Sequence, residues 1–325
     1  MSPSTLSAQG RHWVTSDRMS LGTETNRSAS VRMGDLDGDR DLDIVVANGR
    51  HWPQQNFVVF NHGAAKFTLM QPLGEDRRTT YACELADFDG DGDLDIATGN
   101  DMAPGRIFLN DGSGRVTVHT EFSDVSSVRS LTLADIDGDG DVDILATSRG
   151  RPNRIYLNDG VANFQPGPTF GQQADSTIDV AVADIDRDGR PDLVLANRDR
   201  QPNEVLLADK DLKFTRRVVF GNGKDNTRAV VVADMNDDGH LDWVTGNIGQ
   251  ANAIYLGDGK GGVKTSMSLG QAASRTYSLA VADMDNDGDL DVVAGNVAQR
   301  NSVYLNAGDG SRFIEEPFGD PDSVT

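Results

Sequence analysis

Apolar and polar residues alternate one for one in short bursts along this chain, and the bursts return in the same order six times. The first burst of each set carries an apolar pair, at Val31/Met33, Cys83/Leu85, Leu131/Leu133, Val180/Val182, Val230/Val232 and Leu279/Val281. A period of two puts both members of a pair on one side of a pleated strand, so each burst predicts a half-buried strand. A second strand is predicted after it, as in Leu42/Ile44/Val46, Leu94/Ile96 and Leu241/Trp243, closing on an Asn or Gly. A third, shorter strand is expected at residues 58–60, 107–109, 155–157, 205–207, 254–256 and 303–305. A fourth is often opened by phenylalanine, at Phe67, Phe164, Phe214 and Phe313. Helical periodicity is absent from the pattern.

An acidic nine-residue loop separates the first and second strands each time. It opens at Asp35, Asp87, Asp135, Asp184, Asp234 and Asp283, at spacings of 52, 48, 49, 50 and 49 residues, the mark of a repeat architecture. Positions 1, 3, 5 and 9 carry oxygen-bearing side chains. They are Asp35, Asp37, Asp39 and Asp43; Asp87, Asp89, Asp91 and Asp95; Asp135, Asp137, Asp139 and Asp143; Asp184, Asp186, Asp188 and Asp192; Asp234, Asn236, Asp238 and Asp242; Asp283, Asp285, Asp287 and Asp291. Position 7, expected to give its backbone carbonyl, is Asp41, Asp93, Asp141, Arg190, His240 or Asp289. Such a dense set of hard donors suits Ca²⁺, which takes about six to eight oxygens, better than Mg²⁺, which keeps its waters. An EF-hand is excluded, because it needs helices and a Glu at position 12, where Thr98, Ala146 or Leu195 stands. Two loops depart from the pattern: Arg40 replaces the usual glycine in the first, and Asn236 removes one charge from the fifth.

Four short strands in each repeat, repeated radially, predict an all-β fold, a β-propeller of six four-stranded blades. Seven blades is the alternative, if the terminal segments complete a degenerate one. A parallel β-helix is excluded by its far shorter period. The repeats resemble the FG-GAP or VCBS repeats of integrin-α-type propellers over about residues 26–318. That resemblance implies the fold and the calcium loops, while function has to be argued from a site. Residues 1–8 read as a disordered lead, and residues 9–325 as one propeller domain. A lone strand is expected over residues 12–21, competing with the strand near Phe313 to close the ring. The segment from Phe318 onward resembles the start of another repeat, so the chain is expected to be cut from something longer.

Composition alters this picture in three respects. The net charge of the 325 residues is −21, and six bound Ca²⁺ would bring it to −9, so the loops repel one another without metal. One cysteine, Cys83, cannot form an intramolecular disulfide and reads as a small buried hydrophobe. No apolar run approaches the length of a membrane span, and no signal-peptide pattern opens the chain, so a monomer without membrane insertion is expected. Loops of this type usually need millimolar calcium, which places the protein outside the cell, in the periplasm or at the cell surface.

Arginine outnumbers lysine 24 to 6, and its distribution is uneven. In an antiparallel blade the acidic loops and the 3–4 turns share one face of the ring, leaving the 2–3 loops and the inner-strand starts on the other. Fourteen of the 24 arginines fall in those opposite regions, among them Arg50, Arg78, Arg129, Arg228 and Arg275. Six residues before each acidic loop stand Ala29, Tyr81, Arg129, Ile178, Arg228 and Tyr277, which equivalence brings together at the mouth of the central channel. The 2–3 loop of the first repeat adds His51 and Trp52.

Two functions from different classes follow. One is a binding module, with Arg50, Trp52, Arg228, Arg275 and Tyr277 recognising an anionic polysaccharide or an acidic protein. The other is a polysaccharide lyase, in which His51 or Tyr81 removes a proton and Arg78 or Arg129 neutralises a uronate. Pairing of the arginines with Asp101, Asp179 and Asp199 is the structural alternative to both. Nucleic acid is excluded as a partner by the charge and by the lack of a basic stripe.

Overall fold

The structure is a computed structural model and describes residues 26–319. The strand expected over residues 12–21, the lead at residues 1–8 and the repeat start at residues 320–325 lie outside them. Twenty-one strands and no helix are present among the described residues. They pair as six four-stranded antiparallel sheets. The first holds β1 (Ser28–Gly34), β2 (Asp43–Asn48), β3 (Gln54–Asn61) and the start of β4 (Phe67–Ala86). The end of β4, with β5 (Asp95–Ala103), β6 (Arg106–Asn110) and β7 (Val116–Glu121), makes the second. The third is β8 (Ser126–Ala134) to β11 (Phe164–Phe170), and the fourth is β12 (Thr177–Ala183) to β15 (Arg216–Asp225). The fifth is built from β16 (Thr227–Ala233), both halves of β17 (Asp242–Gly257) and the start of β18 (Val263–Ala282). The end of β18 joins β19 (Asp291–Asn296), β20 (Asn301–Asn306) and β21 (Phe313–Phe318) in the sixth. This is a β-propeller. Phe67, Phe164 and Phe313 open their strands as expected, whereas β15 begins at Arg216, two residues after Phe214.

Neighbouring sheets bury apolar faces against each other, as residues of alternating strands must. Phe60, Val45 and Ile96 pack with Phe108 between the first and second sheets. The next two seams are filled by Phe122, Ile144 and Tyr156, and by Leu145, Leu193 and Phe170. Trp243 with Phe220 and Tyr255, then Ile254 with Val292 and Tyr304, fill the fourth and fifth. Cys83 lies in the first seam with its thiol pushed up to about 11 by burial, so it behaves as the expected inert hydrophobe.

Two sets of hydrogen bonds stitch the sheets at opposite ends. On the acidic-loop side, Asp95 at loop position 9 is fully buried, and its carboxylate accepts the N–H groups of Phe88 at 3.0 Å and Asn110 at 2.9 Å. Asp43, Asp143, Asp192, Asp242 and Asp291 repeat that clamp in the other sheets. On the other side, the Asn residues that close the second strands meet a buried Asn–Thr relay. Asn56 Nδ2 donates to Thr80 Oγ1, which donates to Asn100 Oδ1, and Asn203–Thr227–Asn247 and Asn252–Thr276–Asn296 repeat the arrangement. The third-strand Asn is the member that crosses the seam, and the Asn that closes the second strand completes the relay within its own sheet.

Candidate functional site

Each acidic loop folds back on its own backbone. Asp87 takes the N–H of Gly90 on one oxygen and that of Gly92 on the other, at 2.7 and 2.9 Å, while Asp91 takes the N–H of Asp93. Asp35, Asp135, Asp184, Asp234 and Asp283 bind their loops in the same way. The turns need left-handed backbone at position 6, which glycine supplies at Gly92 with φ 97° and Gly140 with φ 100°. Arg40 adopts it too, at φ 75°.

This folding gathers the side chains of positions 1, 3 and 9. Oxygens of Asp35, Asp37 and Asp43 lie within 4.8 Å of one another, as do those of Asp87, Asp89 and Asp95, of Asp135, Asp137 and Asp143, and of Asp184, Asp186 and Asp192. Burial, with the neighbouring aspartates adding, raises the Asp37, Asp89 and Asp137 carboxyls above the ordinary range. Burial also drives Asp95, Asp143 and Asp192 up to about 6. Oδ1 of Asp186 is buried without a hydrogen-bond partner. Hard oxygens crowded in this manner, one of them orphaned, fit a divalent cation. The loops are not equal, however. Arg190 pairs with Asp188, Arg216 lies 3.6 Å from Asp186, and Lys264 lies 3.6 Å from Asp238. Asn236 turns its amide toward Asp238. His62 approaches Asp37 and Asp39 in the first loop. Nδ1 of His240 is buried without a partner.

The opposite face brings two groups together. In the first, the phenol of Tyr81 and Nδ1 of His51 share a hydrogen bond of 2.9 Å, with the rings edge to face. The Arg129 guanidinium lies over the Tyr81 ring at 4.3 Å and reaches Asp101 at 3.5 Å. Burial and the charges of Arg50, Arg27 and Arg129 depress the His51 pKa, so its imidazole is neutral at pH 7.

In the second group, Tyr277 is held between two cations. The Arg50 and Arg228 guanidinium carbons lie 4.7 and 4.6 Å from its ring centroid, although Arg50 comes from the first sheet and Arg228 from the fifth. Burial, followed by repulsion from Arg50 and Arg198, lowers Arg228 to about 10. Burial pushes the Tyr277 phenol up, but Arg50, Arg228 and Arg198 outweigh it and the net shift is downward. Nε of Arg50 is buried without an acceptor.

The remaining predicted residues lie apart from these groups. Arg78 does not join the His51–Tyr81 group; its guanidinium binds Glu121 at 2.8 Å, Asp76 and the carbonyl of Pro104, beside Arg106. Trp52 and Arg275 are exposed. Asp199 pairs with Arg149, as the structural alternative expects, whereas the half-buried Asp179 accepts the N–H groups of Val180 and Val230. Pattern alone missed Arg216, Lys264 and His62 beside the acidic loops, because a single charged residue in a neighbouring segment carries no periodic signal.

The sequence matches the FG-GAP-like repeat over residues 35–98, 87–146, 135–195, 188–245 and 234–294. No curated protein matches the chain. Among solved structures, the crystal structure of BBS1N in complex with ARL6DN, soaked with lead, superposes with a TM-score of 0.62. It is 11% identical, and the alignment covers 92% of this chain and 85% of that one. The mercury-soaked form of the same complex gives a TM-score of 0.55 at 11% identity, over 91% and 83% of the two chains. At that identity the likeness carries the fold.

Proposed function

The chain belongs to the FG-GAP-like repeat family, and from that premise we propose that it is a calcium-stiffened β-propeller binding an acidic protein partner through its arginine-bearing face. The observation that carries this reading is the convergence of Arg50 and Arg228 on Tyr277, with the buried Nε of Arg50 lacking an acceptor. Cations held together against their own repulsion are the natural receptor for an anionic group, and arginine forks bind carboxylates in pairs of hydrogen bonds. The structurally similar BBS1N was crystallised with a protein partner, which supports a protein ligand over an anionic glycan here. Trp52, exposed on the same face, supplies the aromatic area that such contacts use.

Calcium is assigned to the loops. Positions 1, 3, 5 and 9 would hold it with the position-7 carbonyls of Asp41, Asp93, Asp141, Arg190, His240 and Asp289, and the ion would supply positive charge to crowded carboxylates. The second and third loops, whose position-1, -3 and -9 oxygens are gathered and which lack the Arg190, Arg216 and Lys264 contacts of the fourth and fifth, should fill first. Sites of this class need calcium at the levels found outside cells, which favours an exported protein.

Titration calorimetry of poly-glutamate and of sulfated and uronate polysaccharides into the calcium-loaded chain tests the face. Binding of the acidic peptide that weakens with salt, and is lost in Arg50→Gln and Arg228→Gln, is expected. If only the polysaccharides bind, the partner class is wrong; if nothing binds, the reading fails.

A second reading rests on the His51–Tyr81 hydrogen bond. A neutral imidazole beside a phenol could remove a proton while Arg129 neutralises a uronate carboxylate, the arrangement a polysaccharide lyase requires. Arg78, tied to Glu121, is not available for that role. A flat ultraviolet trace with ulvan, alginate, pectin and heparin-like substrates would remove it.

A further inference from the structure

The third strands of the second to fifth sheets share one place, held by Arg106, Arg154, Glu204 and Ala253. Arg106 pairs with Thr98 as Arg154 pairs with Ala146 and Glu204 with Leu195, and Ala253 follows Asn252 as Glu204 follows Asn203. Two residues on, and so on the same strand face, stand Phe108, Tyr156, Leu206 and Tyr255, which lie in the first four seams between sheets. The shared place is therefore the outer end of each of these seams.

The first three seams put a guanidinium there. Arg106 binds Asp76 at 3.1 Å and Glu121 at 3.2 Å, and Arg154 donates to the carbonyl of Gly167 at 3.2 Å. At the third seam the cation comes from the facing fourth strand, where Arg217 pairs with Glu204. That pair is deeply held, with Glu204 and Asp175 only 0% and 5% exposed. The Gln172 amide, oriented with its oxygen toward Arg217, accepts from both terminal nitrogens of the guanidinium at 2.8 and 3.3 Å. Burial raises the Asp175 carboxyl, and the Arg217 charge opposes the rise.

The fourth seam keeps the acceptors of that arrangement but not its cation. Asp225 and Asn222 stand 50 residues after Asp175 and Gln172, while Ser266 and Ala253 stand 49 after Arg217 and Glu204. With both long side chains shortened, a cavity of about 360 Å³ opens beside Asn222, Asp225, Ala253, Tyr255, Ser266 and Ser268. That volume lies within the range of small-ligand sites, about 300–1,000 Å³. Asp225 is 4% exposed, takes the N–H groups of Gly223 and Asn222 only at 3.2 and 3.4 Å, and makes no ion pair among the described residues. Burial raises its carboxyl as it does that of Asp175, with no cation opposing. A buried carboxylate without a counter-charge is a costly group to leave in place.

We propose that this cavity receives the guanidinium of an arginine from a partner protein, with the Asp225 carboxylate, the Asn222 amide oxygen and the Ser266 and Ser268 hydroxyls as acceptors. The chain's own third seam is the template, since Arg217 sits there among the counterparts of these residues. A planar fork of donors can satisfy a carboxylate and its neighbouring oxygens together. Tyr255 adds an aromatic wall for the cation. The only charge in the lining is negative, which disfavours an anion. Ser266 and Ser268 are exposed, so the cavity opens at the rim, where a side chain of another molecule can enter. The site is separate from Arg50 and Arg228 and does not rest on the reading given for them.

Calorimetric titration of the full chain in calcium with N-acetyl-arginine amide, and with the neutral citrulline derivative of the same shape, tests this. The arginine derivative should bind, and the citrulline derivative should bind about tenfold or more weakly, because charge-assisted hydrogen bonds are the stronger ones. Ser266→Arg, at an exposed position, supplies the cavity with the chain's own guanidinium and should abolish binding. Asp225→Asn should weaken it about tenfold or more, whereas Arg50→Gln should leave it unchanged. No binding, equal binding of the citrulline derivative, or binding that survives Ser266→Arg overturns the proposal. Binding of free arginine without binding of the capped derivative assigns the cavity to the free amino acid and overturns the partner protein.

Discussion

Nδ1 of His51 and the phenol oxygen of Tyr81 stand 2.9 Å apart, although His51 belongs to a loop of the first sheet and Tyr81 to the inner strand of the second. His51 holds a left-handed backbone, φ 80°, to make that contact. The bond therefore spans a seam between sheets. Six residues beyond Tyr81, on the same strand, the chain reaches Asp87 and the second acidic loop. The arginine-bearing face and the acidic loops are thus the two ends of one set of inner strands, and stiffening one end should steady the other.

Calcium removal is the first consequence. An ion bound at a hundred times its dissociation constant adds about 2.7 kcal/mol per site. Calorimetric melting in millimolar calcium and again in excess chelator should differ by many degrees, whereas an unchanged melting temperature would remove calcium from the picture.

Positions 5 and 9 of one loop should separate cleanly. Asp95→Ala leaves the buried N–H groups of Phe88 and Asn110 without their acceptor, at about 1–3 kcal/mol each, with or without calcium. Asp91→Ala, at an exposed position where water can replace its bond to the Asp93 N–H, should cost stability mainly in calcium. Denaturant midpoints of both variants in both buffers measure this, and equal losses in chelator would contradict the clamp.

Arg40 holds a conformation that costs a non-glycine residue about 1–2 kcal/mol. Arg40→Gly should recover much of that in chelator, and should also tighten calcium at the first loop by restoring the pattern of its neighbours. A destabilised variant would mean that the Arg40 side chain contributes contacts that outweigh the strain.

Asp179 sets a pH dependence. Burial, with the Glu84 charge adding and its backbone hydrogen bonds and Arg228 opposing, drives its carboxyl up to about 6, above the ordinary 3.8. The folded state therefore binds a proton that the unfolded state has released between those two values, and stability falls as pH rises through that window. In saturating calcium, Asp179→Asn should be more stable than the parent at pH 7.5 and should lose that advantage near pH 4. The asparagine oxygen can still accept the Val230 N–H. A pH-independent difference between the two would exclude Asp179 as the source.

Strand type, repeat length and the acidic loops could be read in the linear chain because each is local. Alternation at Val180/Val182 is a property of neighbouring peptide units, and the carboxylates of Asp87, Asp89 and Asp91 belong to one turn. The double duty of Asp95 was half legible: its place in the loop was evident, but its bond to the Asn110 N–H depends on the hairpin that follows.

The face was decided by tertiary structure. Equivalent positions placed Tyr81, Arg129, Arg228 and Tyr277 at one opening, yet nothing local tells which way a long guanidinium turns. Arg78 goes outward to Glu121 and Arg106 joins it there, while Arg50 crosses from the first sheet to Tyr277 in the sixth. Those choices follow from ring curvature, which brings residues more than 200 positions apart into contact. What the sequence by itself determined is the repeating unit and its acidic turn; which side chains meet across the ring depended on its closing geometry, because contacts between sheets have no counterpart in the order of residues along the chain.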